Sequence, residues 1–385
     1  MAQKVLISAG EASGDLYAAG LVEALRGRHP DLEFFGCAGS KMQKAGVRPV
    51  VDASSISVVG LVEVIQHIPR VYGEFRKLTQ AAAAERPDLA ILTDSPDFHL
   101  RLAKRLKALG IPVLYLVAPQ VWAWRKGRLP AIRRTVDQLL CIFPFEPDFF
   151  RAHGIDARYI GHPLTRMVKP SAERSALRSR YNVPESAPLI ALLPGSRKGE
   201  IERHLPLLLE TVRKISAAIP EKSPHFTLAL PHGSSLGLNL KERFSEPSIQ
   251  VLEGQTWDVL ACAEIALAAS GTVTVEAMLL GTPLVAFYRV NNLSWMMGRH
   301  LVKVPFFSMV NLIAGRSVVP ELIQSDFTAD RLASEALRLL QDEPARAQMR
   351  AELRQVAETL QGTQDPLETA AALVEQHLKE ELVHV

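Results

Sequence analysis

Five loops in this chain of 385 residues carry side chains whose types and spacing suit chemistry. Ser8-Ala9-Gly10-Glu11-Ala12-Ser13-Gly14-Asp15 offers polar groups, with Glu11 and Ser13 as cleft candidates, and two glycines that allow tight backbone near a ligand. Ser13 or Asp15 can cap the helix that follows. The loop is not G-x-G-x-x-G and does not predict NAD binding. Thr93-Asp94-Ser95-Pro96-Asp97-Phe98 sets a carboxylate directly after an apolar run, where a general base acting on a hydroxyl belongs. Asp94 is assigned that role and should point into a cleft mouth; Asp97 is its competitor, or simply the N-cap of the next helix. Pro119–Lys126 places Trp122 and Trp124 beside Arg125 and Lys126. Aromatic plus cation suits a sugar face, a phosphate or a membrane interface, and equally a packed core with solvated cations. In Leu193-Pro194-Gly195-Ser196-Arg197, Gly195 permits close approach, Ser196 brings a hydroxyl and Arg197 can grip phosphate oxygens bidentately. No Walker A motif is present. Finally, Ser270-Gly271-Thr272 opens a helix whose free amides and dipole attract a diphosphate. Glu276 lies four residues after Thr272, on the same face, and can accept hydrogen bonds from ribose hydroxyls. That pairing points to a nucleotide-sugar donor. For each loop the plain alternative is a turn and a helix cap.

The elements that must position these loops alternate between short apolar runs and helices. Strands are predicted at 4–8, 32–36, 89–93, 112–117, 138–142 and 157–160, with helices at 17–28 and 100–109. The rhythm resets near Gly161-His162-Pro163. A polar helix over 172–181 precedes strands at 189–193, 226–230, 249–252, 265–268 and 284–287, and the last 60 or so residues read as helices. This is the pattern of two doubly wound, Rossmann-like parallel-sheet α/β domains, 1–163 and 164–345, with a helical C-terminal segment over 346–385. In such sheets ligands sit outside the carboxyl ends of the strands, and every loop above follows a predicted strand.

Composition narrows the class. Hydrophobic residues make up 48% and charged residues 22%, which fits a globular protein and excludes a mainly disordered chain. Cys37, Cys141 and Cys262 lie far apart with no C-x-x-C, so neither a disulfide framework nor a zinc ribbon is expected. The net charge of +3 argues against a dedicated nucleic-acid binder. No signal peptide or membrane-spanning run is legible, and a cytoplasmic location is expected. The charge is unevenly placed: 98–136 and 277–320 contain bases but no acid, which suggests an anionic partner or a solvated basic face. Two apolar stretches, 58–72 and 291–307, have the make-up of interfacial segments, or of buried core or a dimer contact. Val62, Val64, Ile65 and Ile68 in the first, and Trp295, Met296 and Phe306 in the second, are candidate membrane contacts.

Taken together, the loops resemble the lipid-A-disaccharide synthase family. The matching motifs are A-G-E-A-S-G-D (Ala9–Asp15), D-S-P-D-F (Asp94–Phe98), V-W-A-W-R (Val121–Arg125), L-P-G-S-R (Leu193–Arg197), S-G-T-V-T-V-E (Ser270–Glu276) and N-L-I-A-G-R (Asn311–Arg316), in the family's order. Gln120 stands where the family commonly has serine, and Val310 where it usually has proline. The resemblance implies a GT-B glycosyltransferase, with two domains facing a cleft. It would join UDP-2,3-diacylglucosamine to 2,3-diacylglucosamine 1-phosphate with inversion, giving the β-1′,6-linked disaccharide 1-phosphate and UDP. It implies no metal or other cofactor, peripheral attachment to the inner face of the bacterial inner membrane, and a dimer with exchanged C-terminal segments. By the same resemblance Asn311 and Arg316 complete the donor or acceptor site. Rival readings are a soluble UDP-sugar epimerase or hydrolase of the same fold, and a membrane-associated nucleotide-binding module without catalysis.

Overall fold

A computed structural model describes residues 3–56, 61–123, 125–231, 249–291, 295–296, 304–362 and 364–383, the side chains of 61–68 and 380–383 excepted. The chain divides into two compact units. One comprises Met1–Pro163 with Leu360–Val385; the other comprises Leu164–His300 with Val304–Thr359.

Among the described residues the first unit holds seven parallel strands: β1 (Lys4–Ala9), β2 (Glu33–Ala38), β3 (Arg48–Asp52), β4 (Leu89–Thr93), β5 (Val113–Leu116), β6 (Gln138–Cys141) and β7 (Ala157–Tyr159). Their order is β3-β2-β1-β4-β5-β6-β7. The second unit holds β8 (Leu189–Leu193), β9 (His225–Leu230), β10 (Ile249–Glu253), β11 (Ile265–Ala269), β12 (Leu284–Tyr288) and β13 (Glu321–Ile323), in the order β10-β9-β8-β11-β12-β13. All the pairings are parallel, for example Val5↔Leu89 and Ala266↔Leu284. Among the described residues, helices make the connections between successive strands, as parallel pairing demands. These are two Rossmann-like lobes, and this is the GT-B pattern.

Continuous burial explains the central strands. Every residue of β4, β5, β6, β8 and β11 is buried, which is the signature of a sheet covered on both faces. The first core gathers Leu6, Phe35, Leu92, Leu102, Tyr115 and Phe150. Two strands escape the sequence pattern: β3, an edge strand of Arg-Pro-Val-Val-Asp, and the three-residue β13. Neither has the apolar run by which a buried strand is read.

In each sheet the strand order reverses at one place, between β1 and β4 in the first and between β8 and β11 in the second. Such a switch point splays the connecting loops apart and opens a crevice at the carboxyl ends. The glycine-rich and Asp94 loops leave β1 and β4. The Gly195 and Ser270 loops leave β8 and β11.

Two local readings need correction. The first helix spans Ala12–Arg28, not 17–28, and Glu11 rather than Ser13 or Asp15 occupies its N-cap, with no side-chain capping bond. Asp15 turns away to accept the backbone N–H groups of Gly39, Lys41 and Met42, so it caps the short helix Ser40–Lys44 instead. The C-terminal residues are shared between the units. Helix Glu343–Thr359 lies in the second, and helix Pro366–Val383 packs on Ala12–Arg28 in the first.

Candidate active site

Asp94 is held from several sides in the first unit. Its carboxylate accepts the N–H of Gly10 at 2.8 Å on one oxygen and the N–H of Glu11 at 3.0 Å on the other. Its backbone is left-handed (φ +55°), as is that of Ser95 (φ +37°), a strained pair for residues with a Cβ. The Asp94 carbonyl is fixed by Tyr115 Oη–H and by His99 Nδ1, the latter at 2.9 Å. The hydrogen bonds then define the His99 tautomer: Nδ1–H donates to Asp94 and Nε2 accepts from Ser8 Oγ at 2.7 Å. Burial lowers the His99 pKa to about 4, so the ring is neutral near pH 7. Burial, with the charge of Glu11 adding to it, raises the Asp94 carboxyl well above its ordinary value, against the amide hydrogen bonds that lower it. A carboxyl that is rigid, partly desolvated and shifted upward suits a general base. The glycines of the first loop lie against it. A Cβ on Gly14 would lie 1.8 Å from Asp94 Oδ2, and one on Gly10 would lie 2.5 Å from Ser95 Oγ. They make room for the Asp94 loop itself.

Asp97 is a different kind of carboxylate. It is exposed and does not cap helix Pro96–Ala108, whose N-cap is Ser95. It pairs with Arg125 at 2.8 Å and Arg128 at 2.5 Å. Burial acts to raise its pKa, but the Arg128 hydrogen bond and the charges of Arg128 and Arg125 hold it below the ordinary value. Part of the basic stretch 98–136 is thereby neutralised. Trp122 is half-buried. Its Nε1–H donates to Glu146 at 3.0 Å, and its ring meets Phe145 edge-on at 4.9 Å. Glu146 also accepts the N–H groups of Ile142 and Phe143, and burial raises its pKa to about 7. Trp124 lies outside the described residues. Glu11, whose N–H binds Asp94, and Ser13 are both partly exposed.

In the second unit, helix Thr272–Leu279 follows β11 with Gly271 at its N-cap and no side-chain capping bond. Ser270 Oγ–H donates to Phe307 O at 2.6 Å, which ties the helix entrance to the 304–308 segment. Glu276 projects from this helix beside Trp257. Burial raises its pKa to about 7, against a lowering Trp257 hydrogen bond. The Pro194–Arg197 turn is built around Glu200. Glu200 accepts Ser196 N–H at 3.2 Å and Tyr288 Oη–H at 2.9 Å, and lies 3.4 Å from Arg197. Gly195 sits at φ +123°, and a Cβ there would be 2.7 Å from Glu200 Oε2. Buried His204 braces the turn by donating from Nδ1 to Pro194 O at 2.6 Å.

Asn311 and Arg316 sit in other surroundings than expected. Asn311 is fully buried and all its side-chain valences are used: Oδ1 accepts Val318 and Val319 N–H, and Nδ2 donates to Val319 O and Glu321. It fastens the turn between helix Met309–Ala314 and β13 and has no bond left for a ligand. Asn311→Ala is expected to cost about 3 kcal/mol, because it strands buried partners. Urea unfolding would register that loss while UDP affinity holds. Arg316 is exposed and paired with Glu352 at 2.5 Å. The side chains of Val62, Val64, Ile65 and Ile68 lie outside the described residues. Met296 is 64% exposed, and Trp295 and Phe306 are partly buried.

Sequence reasoning missed Ser8, His99, Tyr115, Glu200 and His204. Ser8 and Tyr115 come from neighbouring strands that only the folded sheet brings near, whereas His99, Glu200 and His204 lie on the helices that follow the loops they hold.

Two Rossmann-like lobes with polar loops at both switch points define the GT-B class of nucleotide-sugar enzymes. The same fold is seen in the UDP-GlcNAc 2-epimerase of Neisseria meningitidis bound to UDP-GlcNAc (TM-score 0.65, 12% identity, 98% of this chain and 100% of that one). Residues 5–374 match the family described as lipid-A-disaccharide synthetase. The chain is 53% identical to the lipid-A-disaccharide synthase of Solibacter usitatus, covering 99% of both chains, and 46% identical to that of Koribacter versatilis, covering 93% of both. The chain belongs to the lipid-A-disaccharide synthase family.

Proposed function

We propose that the chain is an inverting glycosyltransferase that condenses UDP-2,3-diacylglucosamine with 2,3-diacylglucosamine 1-phosphate, forming the β-1′,6 disaccharide 1-phosphate of lipid A biosynthesis and releasing UDP. Its 53% identity to a synthase over 99% of both chains carries this reading. The acceptor's 6-hydroxyl loses its proton to Asp94 as it attacks the anomeric carbon. The departing diphosphate gathers charge, which the amides opening helix Thr272–Leu279 and the guanidinium of Arg197 stabilise. Glu276 holds the ribose. The test is a metal-free incubation with EDTA and both substrates, read by mass spectrometry. A tetra-acylated disaccharide phosphate with stoichiometric UDP supports the reading; UDP without disaccharide means a hydrolase.

Glu276 gives the donor site a pH signature. A carboxylate accepts two ribose hydroxyls better than a carboxylic acid does, and this one ionises near pH 7. UDP affinity should rise between about pH 6 and about pH 8. Glu276→Gln should remove that rise and weaken binding about tenfold at the upper end, as titration calorimetry would show.

The same reading puts the protein at the inner face of the inner membrane, as a dimer. Among the described residues no helix is long and apolar enough to cross a membrane. Exposed Met296 and Tyr72, with Trp295 beside Phe307, are suited to lie in a lipid surface. Replacing Val62, Val64 and Ile65 together by serine should largely abolish co-sedimentation with anionic vesicles, since each inserted aliphatic side chain contributes about 1.5–3 kcal/mol. Unchanged sedimentation would remove that segment from the membrane contact.

A further inference from the structure

The second unit has a cavity of about 490 Å³ that the donor chemistry does not use. It is lined by Ala263 and Glu264, which precede β11, by Leu280–Thr282, which precede β12, and by Arg174, Arg346, Arg350 and Arg354. It therefore lies at the amino ends of the strands, whereas the Gly195 and Ser270 loops leave their carboxyl ends. Arg346, Arg350 and Arg354 recur every four residues on helix Glu343–Thr359, so they form one row.

The acids nearby fall short of the bases. Glu264 binds Arg174, buried Arg178 at 3.3 Å and Leu189 N–H at 2.5 Å. Glu343 pairs with Arg346 and lies 3.9 Å from Arg350. Arg354 has no acidic partner among the described residues. The Nε of Arg346 is buried without a hydrogen-bond partner. The pKa values of Arg346 and Arg350 are both lowered, first by burial and then by a neighbouring guanidinium, Arg350 for the one and Arg174 for the other. Like charges at four-residue spacing repel one another. A multiply charged anion would relieve that repulsion, and guanidinium forks match phosphate oxygens.

We infer that this cavity is a second anion site, built for a phosphate group and separate from the UDP-sugar site. The phosphate can arrive on a small soluble molecule or on the headgroup of an acidic lipid.

Inorganic pyrophosphate is the probe, titrated calorimetrically into the full chain under saturating UDP so that the diphosphate site is filled. One pyrophosphate should bind per chain, and Arg350→Gln/Arg354→Gln should weaken it at least about tenfold. Arg354→Gln alone removes an exposed side chain with no ion pair to lose; it should weaken binding several-fold with an unchanged melting temperature. Phosphatidylglycerol vesicles form the second arm. Sedimentation that falls in the double variant and is competed by pyrophosphate assigns the site to a lipid headgroup. Sedimentation that stays unchanged while pyrophosphate binding falls assigns it to a soluble phosphate. If the UDP-saturated protein binds no pyrophosphate and the double variant sediments like the parent, the inference is overturned. If pyrophosphate binds but neither variant weakens it, the inference is likewise overturned.

Discussion

Replacing Asp94 by asparagine is expected to lower kcat about a thousandfold with UDP affinity unchanged. The substitution keeps the size of the side chain and takes away its capacity to accept a proton, together with one of the two amide hydrogen bonds from Gly10 and Glu11, because an NH2 group cannot accept. Removing a general base costs about 10²–10⁴ in rate, and the rigid setting of Asp94 points above the low end of that range. UDP affinity is the control, because the groups assigned to the donor lie in the other unit. Asp97→Asn is the companion variant. Asp97 is exposed and held ionised by Arg125 and Arg128, so its loss should leave kcat within several-fold. Equal loss in both variants, or near-parental turnover in Asp94→Asn, would reject Asp94 as the base. The sign of the pH dependence follows from the same environment. Burial and Glu11 raise the Asp94 pKa, and only the ionised form accepts a proton. Activity should therefore fall on acidification at a pH above the ordinary carboxylate range. Glu11→Gln removes one raising influence and should move that acid limb downward.

Gly14→Ala should be nearly as damaging, although it adds one methyl to a helix. The added carbon would lie 1.8 Å from Asp94 Oδ2 and 2.8 Å from Asp94 Cγ, so the carboxylate must move. Its retreat is restricted by the amides of Gly10 and Glu11 and by the bonds that hold its carbonyl. A displacement of about 1 Å at a reacting group can cost about 100-fold, and a loss of that order in kcat is expected. Alanine by itself favours an exposed helix interior over glycine by about 1 kcal/mol. Helix propensity thus predicts a harmless change, and steric conflict with Asp94 predicts a disabled one. Steady-state kinetics beside a melting curve separates the two.

The central strands were legible because a parallel sheet covered on both faces demands continuous apolar runs such as Leu89–Thr93 and Leu189–Leu193. The loops at their carboxyl ends were legible for the same reason. Edge strand β3 was hidden by Arg48 and Pro49, which face fewer neighbours and so need no apolar run. Roles that depend on orientation stayed out of reach. Asn311 looked like a ligand-binding residue because its type and motif fit one, yet its bonds run to the backbone of Val318 and Val319 and to Glu321. For Trp122 the sequence leaves an exposed aromatic face and a packed core equally open, and the structure has it reach inward to Glu146. The work of Gly14 needed a distance across two elements, which spacing along one chain does not contain.

The first unit is completed by residues synthesised after the whole of the second. Gln3 donates to Leu378 O at 3.3 Å, and Arg28 binds Glu368 and, at 3.2 Å, Glu375. On the ribosome, the strands that carry Asp94 can pair early, but the helix covering Ala12–Arg28 arrives only after the second unit. The second unit can therefore close upon itself while the first still shows the apolar side of its opening helix, a window in which a chaperone has something to hold.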